Sequence, residues 1–362
     1  MNEKKPAYLI LYEELRREIT QGDWKTGGRL PSRRQIARER GVSAVTADHS
    51  YELLCQEGYI EARPRSGYYV TYRSDGGFAR PEPYPLSVQP HDPAAQRHAF
   101  PFSVLARTMR RVLSEYGEAL LDKAPNMGCE ALRLAISRYL GRNRGIRADA
   151  GQIVIGSGAE YLYGLVVEML GRGRIYAIER PSYAKIEQVY SAKGIVCDLL
   201  PLGNDGIQTP ALAKTKASVL HITPYRSFPS GVTAGASKRR EYLRWADQGD
   251  RYIVEDDFES EFSMLRKPEE TVFIQADRQN VIYLNTLTRT VSPAIRVGYM
   301  VLPPRLLPLF SERVGFYSCT VPAFEQYVLA SLIDSGDFER HINRIRREKR
   351  KKAQSAPSAV EK

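Results

Sequence analysis

Residues 281–300, VIYLNTLTRTVSPAIRVGYM, set hydroxyl side chains, two arginines and a proline between two apolar runs. Thr286, Thr288, Arg289, Ser292, Pro293 and Arg296 stand in the polar turn, and Val281 to Leu284 and Val297 to Met300 read as the flanking strands. Arg289 and Arg296 are planar charged forks that suit a phosphate or another oxyanion. The plainer reading is two surface arginines on a loop. The segment contains no lysine, so it offers no amine that could lose its proton and attack a carbonyl.

Three other stretches carry comparable chemistry. In IGSGAEYLYGL, Ser157, Gly158 and Ala159 occupy a strand-to-helix turn whose backbone N–H groups make an anion site. Short glycine-rich turns also precede helices that bind nothing. In ERPSYAKI, Tyr183 follows a strand and could flank a planar ligand; a core tyrosine is the equal alternative. In IVEDDFESEF, Asp256 ends a buried strand, where an unpaired carboxylate is costly and a pyridinium nitrogen is a fitting partner.

The elements that must position these groups alternate. Strands are expected at Gln152–Ile155, Arg174–Glu179, Ala217–Thr223, Tyr252–Asp256 and Val281–Thr286. Amphipathic stretches lie between them, among them Glu130–Tyr139, Glu160–Leu170 and Lys238–Trp245. That order predicts an α/β domain with a mostly parallel sheet covered on both faces, binding ligands beyond the carboxyl ends of its strands.

The first 73 residues differ in kind. Tyr8, Leu11, Tyr12, Leu15 and Ile19 make one apolar helical stripe. Ser32 with Gln35 is a capping-box signature for a second helix that stops at Gly41. Ser43 caps a third helix that turns Ala47, Tyr51 and Leu54 inward, and Tyr59–Ala62 and Tyr68–Tyr72 read as a hairpin. This is a winged helix-turn-helix, whose third helix enters the major groove of double-stranded DNA. Arg33 and Arg34, Ser43, Thr46 and His49, and Arg63 and Arg65 on the wing are the candidate DNA contacts, each with a solvated surface as the alternative. Asp48 would repel phosphate.

Composition sets outer bounds. The chain has 362 residues, 43% hydrophobic and 26% charged, which suits two soluble globular domains. A net charge of +11 favours an anionic partner. The four cysteines (Cys55, Cys129, Cys197, Cys319) have neither metal-ligand nor redox spacing, so a reduced cytoplasmic protein without a metal is expected. No signal peptide or membrane-length apolar run is seen. Residues 340–352 hold eight Lys/Arg against one Glu and read as a frayed, solvated helix.

The LPSRR run, the GVS start of the third helix and the Glu57-Gly58-Tyr59 entry to the wing resemble the GntR family of bacterial transcription factors, although Ala44 stands where the family usually has an arginine. The NMGCEALRLAISRYLGRNRGI run, the SGA turn, the TPYRSFPSG loop, the EDD strand end and the 286–299 segment resemble fold type I pyridoxal-phosphate enzymes. Together they resemble the MocR-type regulators, which join the two. The resemblance implies a winged helix over 1–73, a linker over 74–100, an aminotransferase-like large domain over 101–335, and over 336–362 a basic start of a small C-terminal domain that stops short. It implies that Ser157, Gly158, Ala159, Thr286 and Arg296 hold the phosphate of pyridoxal phosphate, that Asp256 meets the pyridine nitrogen and that Tyr183 contacts the ring or an effector. Two positions depart from the pattern: Arg289 replaces the Schiff-base lysine and Phe258 replaces a tyrosine. The expected function is a DNA-binding regulator, a homodimer without catalysis. Its large domain senses an amine or amino-acid effector or dimerises, with any pyridoxal phosphate held non-covalently. The alternatives are a pyridoxal-phosphate-dependent aminotransferase and a degenerate, truncated product.

Overall fold

The computed structural model describes residues 5–73, 100–263, 270–276 and 279–355. The chain divides into two units, Met1–Pro90 and His91–Lys362. The linker expected over 74–100 lies, up to residue 99, outside the described residues.

The first unit comprises α1 (Ala7–Gln21), α2 (Arg33–Glu39), α3 (Ala44–Gln56), β1 (Ile60–Arg63) and β2 (Gly67–Val70). The α1 stripe of Leu11, Tyr12, Leu15 and Ile19 closes over Ile36 of α2, Ala47, Tyr51 and Leu54 of α3, and Ile60 and Val70 of the hairpin. Ser32 caps α2 by accepting the Gln35 N–H at 3.2 Å, and Ser43 caps α3 by accepting the Thr46 N–H at 3.1 Å. The expected reciprocal half of the capping box is replaced: the Gln35 amide donates to Glu39 Oε1 one turn on, at 2.8 Å. Helix α2 ends at Glu39, short of Gly41, and the antiparallel strands are shifted inward from the expected ranges, because the Tyr59 carbonyl accepts from Thr71 and Tyr72 instead of joining the ladder.

The second unit runs α4 (Phe102–Tyr116), α5 (Glu130–Asn143), β3 (Ile153–Gly156), α6 (Ala159–Leu170), β4 (Ile175–Arg180), α7 (Ala184–Ala192), β5 (Val196–Pro201), α8 (Thr209–Lys214), β6 (Val219–Ile222), α9 (Ala236–Ala246), β7 (Tyr252–Asp256), β8 (Val281–Thr286), β9 (Gly298–Val301), α10 (Leu307–Arg313), α11 (Ala323–Asp334) and α12 (Asp337–Ser355). The seven strands form one sheet in the order β3-β9-β8-β7-β6-β4-β5, in which β9 runs antiparallel to β3 and β8 and the remaining pairings are parallel. Strands β3, β6, β7, β8 and β9 are buried at every residue, which explains their unbroken apolar runs. Strand β5, not expected from the sequence, is an edge: Val196 is exposed, Cys197 and Asp198 are half-buried, and Asp198 interrupts its apolar residues. Alternate residues serve opposite faces. Ile153, Ile155, Tyr283 and Tyr299 join α5, α11 and α12 in one core, while Val154, Ile282, Leu284 and Met300 join α6, α7 and α10 in another.

The basic C-terminal helix corrects the sequence reading. It is not a frayed, solvated helix: Phe338, His341, Ile342 and Ile345 of α12 are buried, Arg346 donates to the Glu261 carbonyl at 2.7 Å, and Lys349 lies 4.5 Å from the centre of the Phe262 ring. The i, i+3, i+4, i+7 spacing of those four buried positions was hidden by the surrounding charge.

Strand β7 is followed by a buried acidic cluster. Arg144 ion-pairs with Asp257 at 2.8 Å, and the Tyr283 hydroxyl donates to the same carboxylate at 2.7 Å. Glu261 accepts from the Asn285 amide at 2.8 Å, and Glu255 accepts the N–H groups of Val272 and Phe273, each at 2.8 Å. Burial, with Asp257 adding to it, pushes Glu255 up to about 8 and Glu261 to about 7. Burial also pushes Glu179, which accepts from Ser227 at 2.6 Å, up to about 7.

Two predictions follow from this packing. Ile342→Ala removes a side chain from the core and is expected to cost the second unit about 2–5 kcal/mol in urea unfolding; a solvated helix would lose almost nothing. The raised carboxyl groups keep protons in the folded state that the unfolded chain releases above its ordinary carboxylate range. The folded state therefore binds more protons between pH about 5 and about 8, and unfolding free energy falls as pH rises through that window, at most about 1.4 kcal/mol per pH unit per group, then levels off. Urea unfolding at successive pH values reads this directly.

Candidate functional site

In the second unit, the carboxyl ends of β7 and β8, the start of α6 and the loop before β9 surround a cavity of about 350 Å³. Ala159, Tyr183, Asp256, Thr286, Arg289 and Arg296 line it, with Glu160, Tyr163, Phe228, Phe258 and Thr288. The sequence reading spread these groups over 140 residues; the parallel strand ends bring them together.

Asp256 is the deepest charge. It is buried, and the Tyr163 hydroxyl donates to its Oδ2. His221 Nε2 lies 3.7 Å from the same oxygen, and His221 Nδ1 meets the Tyr190 hydroxyl at 2.7 Å. Its other oxygen, Oδ1, has no hydrogen-bond partner among the described residues. A buried, unpaired carboxylate oxygen at a cavity wall calls for a donor, preferably a cationic one. A protonated ring nitrogen supplies that, so the residues present fit the pyridine ring of pyridoxal phosphate.

The other end of the site is lined by Ala159 and Arg296; Gly158 is not among the lining residues and packs beside the Arg296 guanidinium. Gly158 has φ +93, a conformation that favours glycine, and a Cβ there would sit 3.3 Å from the Arg296 guanidinium. Arg296 lies 3.6 Å from Glu160, which also holds Lys185 at 2.7 Å. Lys185, with Arg296 assisting, holds the Glu160 carboxyl below its usual range against partial burial. Ser157 is turned elsewhere: its N–H donates to Thr320 at 3.1 Å, and it does not line the cavity. The Thr286 hydroxyl donates to the Val297 carbonyl at 3.1 Å and accepts the Thr288 N–H at 3.2 Å, tying the loop that carries Arg289 to β8. Tyr183 and Phe228 face each other edge to face at the wall, ring centres 6.3 Å apart. Tyr163, His221 and Phe228 were missed in the sequence, where an aromatic four residues into an apolar helix or a histidine in an apolar strand reads as core.

Arg289 lines the cavity, ion-pairs with Glu259 and lies 5.4 Å from the centre of the Phe258 ring.

In the first unit the seven candidate DNA contacts are all at least partly exposed. Arg33 reaches from α2 to Asp48 of α3 at 3.2 Å and lies 5.7 Å from the centre of the Tyr68 ring. Asp48, expected to repel phosphate, pairs with Arg33 at the surface. Ser43 and Thr46 share a hydroxyl contact at 2.8 Å, and His49 meets Tyr8 edge-on at 5.5 Å. On the wing, Arg63 pairs with Glu61 at 2.6 Å over the Tyr69 ring, while Arg65 sits at the turn with φ 60. Arg34 and Arg65 have no ion-pair partner among the described residues. Those residues hold no cluster of three metal-ligating side chains, and no helix long and apolar enough to cross a membrane.

Residues 7–70 match the family model of the bacterial regulatory proteins of the gntR family. The HTH-type transcriptional regulator YhdI of Bacillus subtilis is 30% identical over 363 residues, covering 96% of this chain and 77% of its own length. The probable rhizopine catabolism regulatory protein MocR of Rhizobium meliloti is 29% identical, covering 94% of this chain and 74% of its own. Among solved structures, the kynurenine aminotransferase of Pyrococcus horikoshii, crystallised with PMP, superposes with a TM-score of 0.62 at 26% identity, covering 68% of this chain and 64% of that enzyme. The α-aminoadipate aminotransferase LysN of Thermus thermophilus, complexed with N-(5′-phosphopyridoxyl)-L-leucine, gives 0.61 at 25%, covering 70% and 66%. The chain belongs to the GntR transcriptional regulators, in the MocR-type subfamily that joins a winged helix to an aminotransferase-like domain.

Proposed function

We propose that this regulator reads double-stranded DNA with its first unit and senses a small amine or amino acid with its second, which holds pyridoxal phosphate without a covalent bond. The observation that carries the reading is the cavity that pairs a buried Asp256 oxygen, without a partner among the described residues, with an arginine where an imine-forming lysine would stand. Bound there, pyridoxal phosphate would supply an electrophilic ring and aldehyde. Asp256 would meet its ring nitrogen, Gly158, Ala159, Thr286 and Arg296 its phosphate, and Tyr183 its face. The Ser157 N–H already donates to Thr320, so it would not be available to the phosphate. A guanidinium stays protonated and forms no imine, which weighs against the aminotransferase alternative. Ser43, Thr46 and His49 would face the major groove from α3, and Arg34 and Arg65, without an acidic partner among the described residues, the phosphates. Arg33 and Arg63 would have to exchange their pairs with Asp48 and Glu61 for a phosphate. A homodimer would place two such helices on one operator.

Fluorescence anisotropy on the DNA upstream of the chain's own gene, against a scrambled duplex, tests the first half. Preferential binding is expected, with a steep loss at higher salt. Arg34→Ala should weaken both duplexes alike and reduce the salt slope by about one. Equal, weak binding to both duplexes overturns sequence reading. For the second half, pyridoxal phosphate should bind and shift the DNA affinity, be released by gel filtration after borohydride, and bind more weakly to Asp256→Asn. Arg289→Lys should permit covalent capture that borohydride fixes. Fixation to the unaltered chain would overturn the non-covalent reading.

A further inference from the structure

Arg289 cannot act as the lysine whose position it fills, yet it lines the cavity with its side chain 49% exposed. Of its guanidinium donors, Nη1 engages Glu259, and the other nitrogens have no hydrogen-bond acceptor among the described residues. Five N–H groups in a fixed fork suit a bidentate carboxylate better than this single contact. Glu259, itself 11% exposed, shows that a carboxylate can be seated there.

The surrounding charge favours a second carboxylate. Burial pushes the Lys349 ammonium down, Glu259 opposes this, and the nearby Arg226 and Arg289 guanidiniums add to it. Among the described residues, Arg289 thus stands near two further cations, Arg226 and Lys349, as well as Glu259. Across the same cavity, Asp256 presents a buried anionic oxygen without a partner. A ligand complementary to both carries a protonated ring nitrogen at one end and a carboxylate at the other. A volume of about 350 Å³ lies in the range of small-ligand pockets, about 300–1,000 Å³.

We infer that Arg289 is a carboxylate anchor, and that the ligand of this pocket is a phosphopyridoxyl conjugate of an α-amino acid, whose carboxylate takes the place of Glu259 on the guanidinium. The inference rests on the proposed pyridoxal-phosphate reading of the same cavity. No imine with the protein is needed, because the amino acid arrives already joined to the ring. Arginine at this position then selects for the carboxylate that a lysine would leave unrecognised.

The test uses the full-length protein and two synthetic probes: N-(5′-phosphopyridoxyl)-L-leucine and its counterpart without the carboxylate, N-(5′-phosphopyridoxyl)-3-methylbutylamine. Isothermal titration calorimetry should show the carboxylate-bearing conjugate binding about tenfold tighter or more, the size of a charge-assisted hydrogen bond. Arg289→Gln should abolish the difference while leaving the amine conjugate's affinity nearly unchanged. Glu259→Gln, which frees the guanidinium without touching it, should widen the difference. Equal binding of the two probes to the unaltered protein, or a difference that survives Arg289→Gln, overturns the anchor while leaving the cofactor reading standing. Binding of neither probe overturns the cofactor reading and the anchor with it.

Discussion

A carboxylate at the end of a buried strand governs the second unit. Asp256 is held out of water with one oxygen taken by Tyr163 and the other without a partner. Leaving a charge in that state costs folding free energy unless something compensates it. The local structure is arranged around that cost: Tyr163 comes from α6, His221 and Tyr190 stand behind, and the cavity opens in front. At the cavity wall Asp256 Oδ1, without a partner among the described residues, is the acceptor that the proposed ligand's donor would meet.

The acidic cluster beyond the same strand handles its cost differently. Asp257 has Arg144 and Tyr283, Glu261 has Asn285, and Glu255 has two backbone N–H groups. These partners are internal, and the remaining charge is removed by protonation, as the raised carboxyl groups show. Adjacent residues of one EDD run therefore meet different surroundings: Glu255 and Asp257 have partners inside the protein, although Asp257 Oδ1 has none among the described residues, whereas Asp256 lines the cavity.

In the winged-helix unit the same logic acts at the surface. Arg33 and Arg63 have nearby carboxylates, so each would surrender an existing pair to meet a phosphate, whereas Arg34 and Arg65 would not. Exposed pairs of this kind contribute little stability, about 0–1 kcal/mol, so their exchange for DNA phosphate is inexpensive. Position on the helix and wing thus identifies candidate contacts, but pairing decides which cations are already occupied.

Residue order alone established much. Periodicity located α1, α3 and the fully buried strands, and motif order assigned both units, because apolar spacing and turn residues are local signals. Where elements were half-exposed or charge-rich the signal failed. Edge strand β5 has its apolar residues interrupted by Asp198, and the buried stripe of α12 is masked by eight cations in thirteen positions. The chemical types of the site residues were also legible, since glycine, arginine and aspartate at strand ends are written in the chain. Only the tertiary structure decided their partners. It turned Ser157 toward Thr320, set Tyr163 on Asp256, gave Asp48 to Arg33 and placed Glu259 on Arg289. These contacts join residues 15 to 163 positions apart, and no spacing rule reaches across such distances; they follow from which strand ends and helix faces the sheet order makes neighbours.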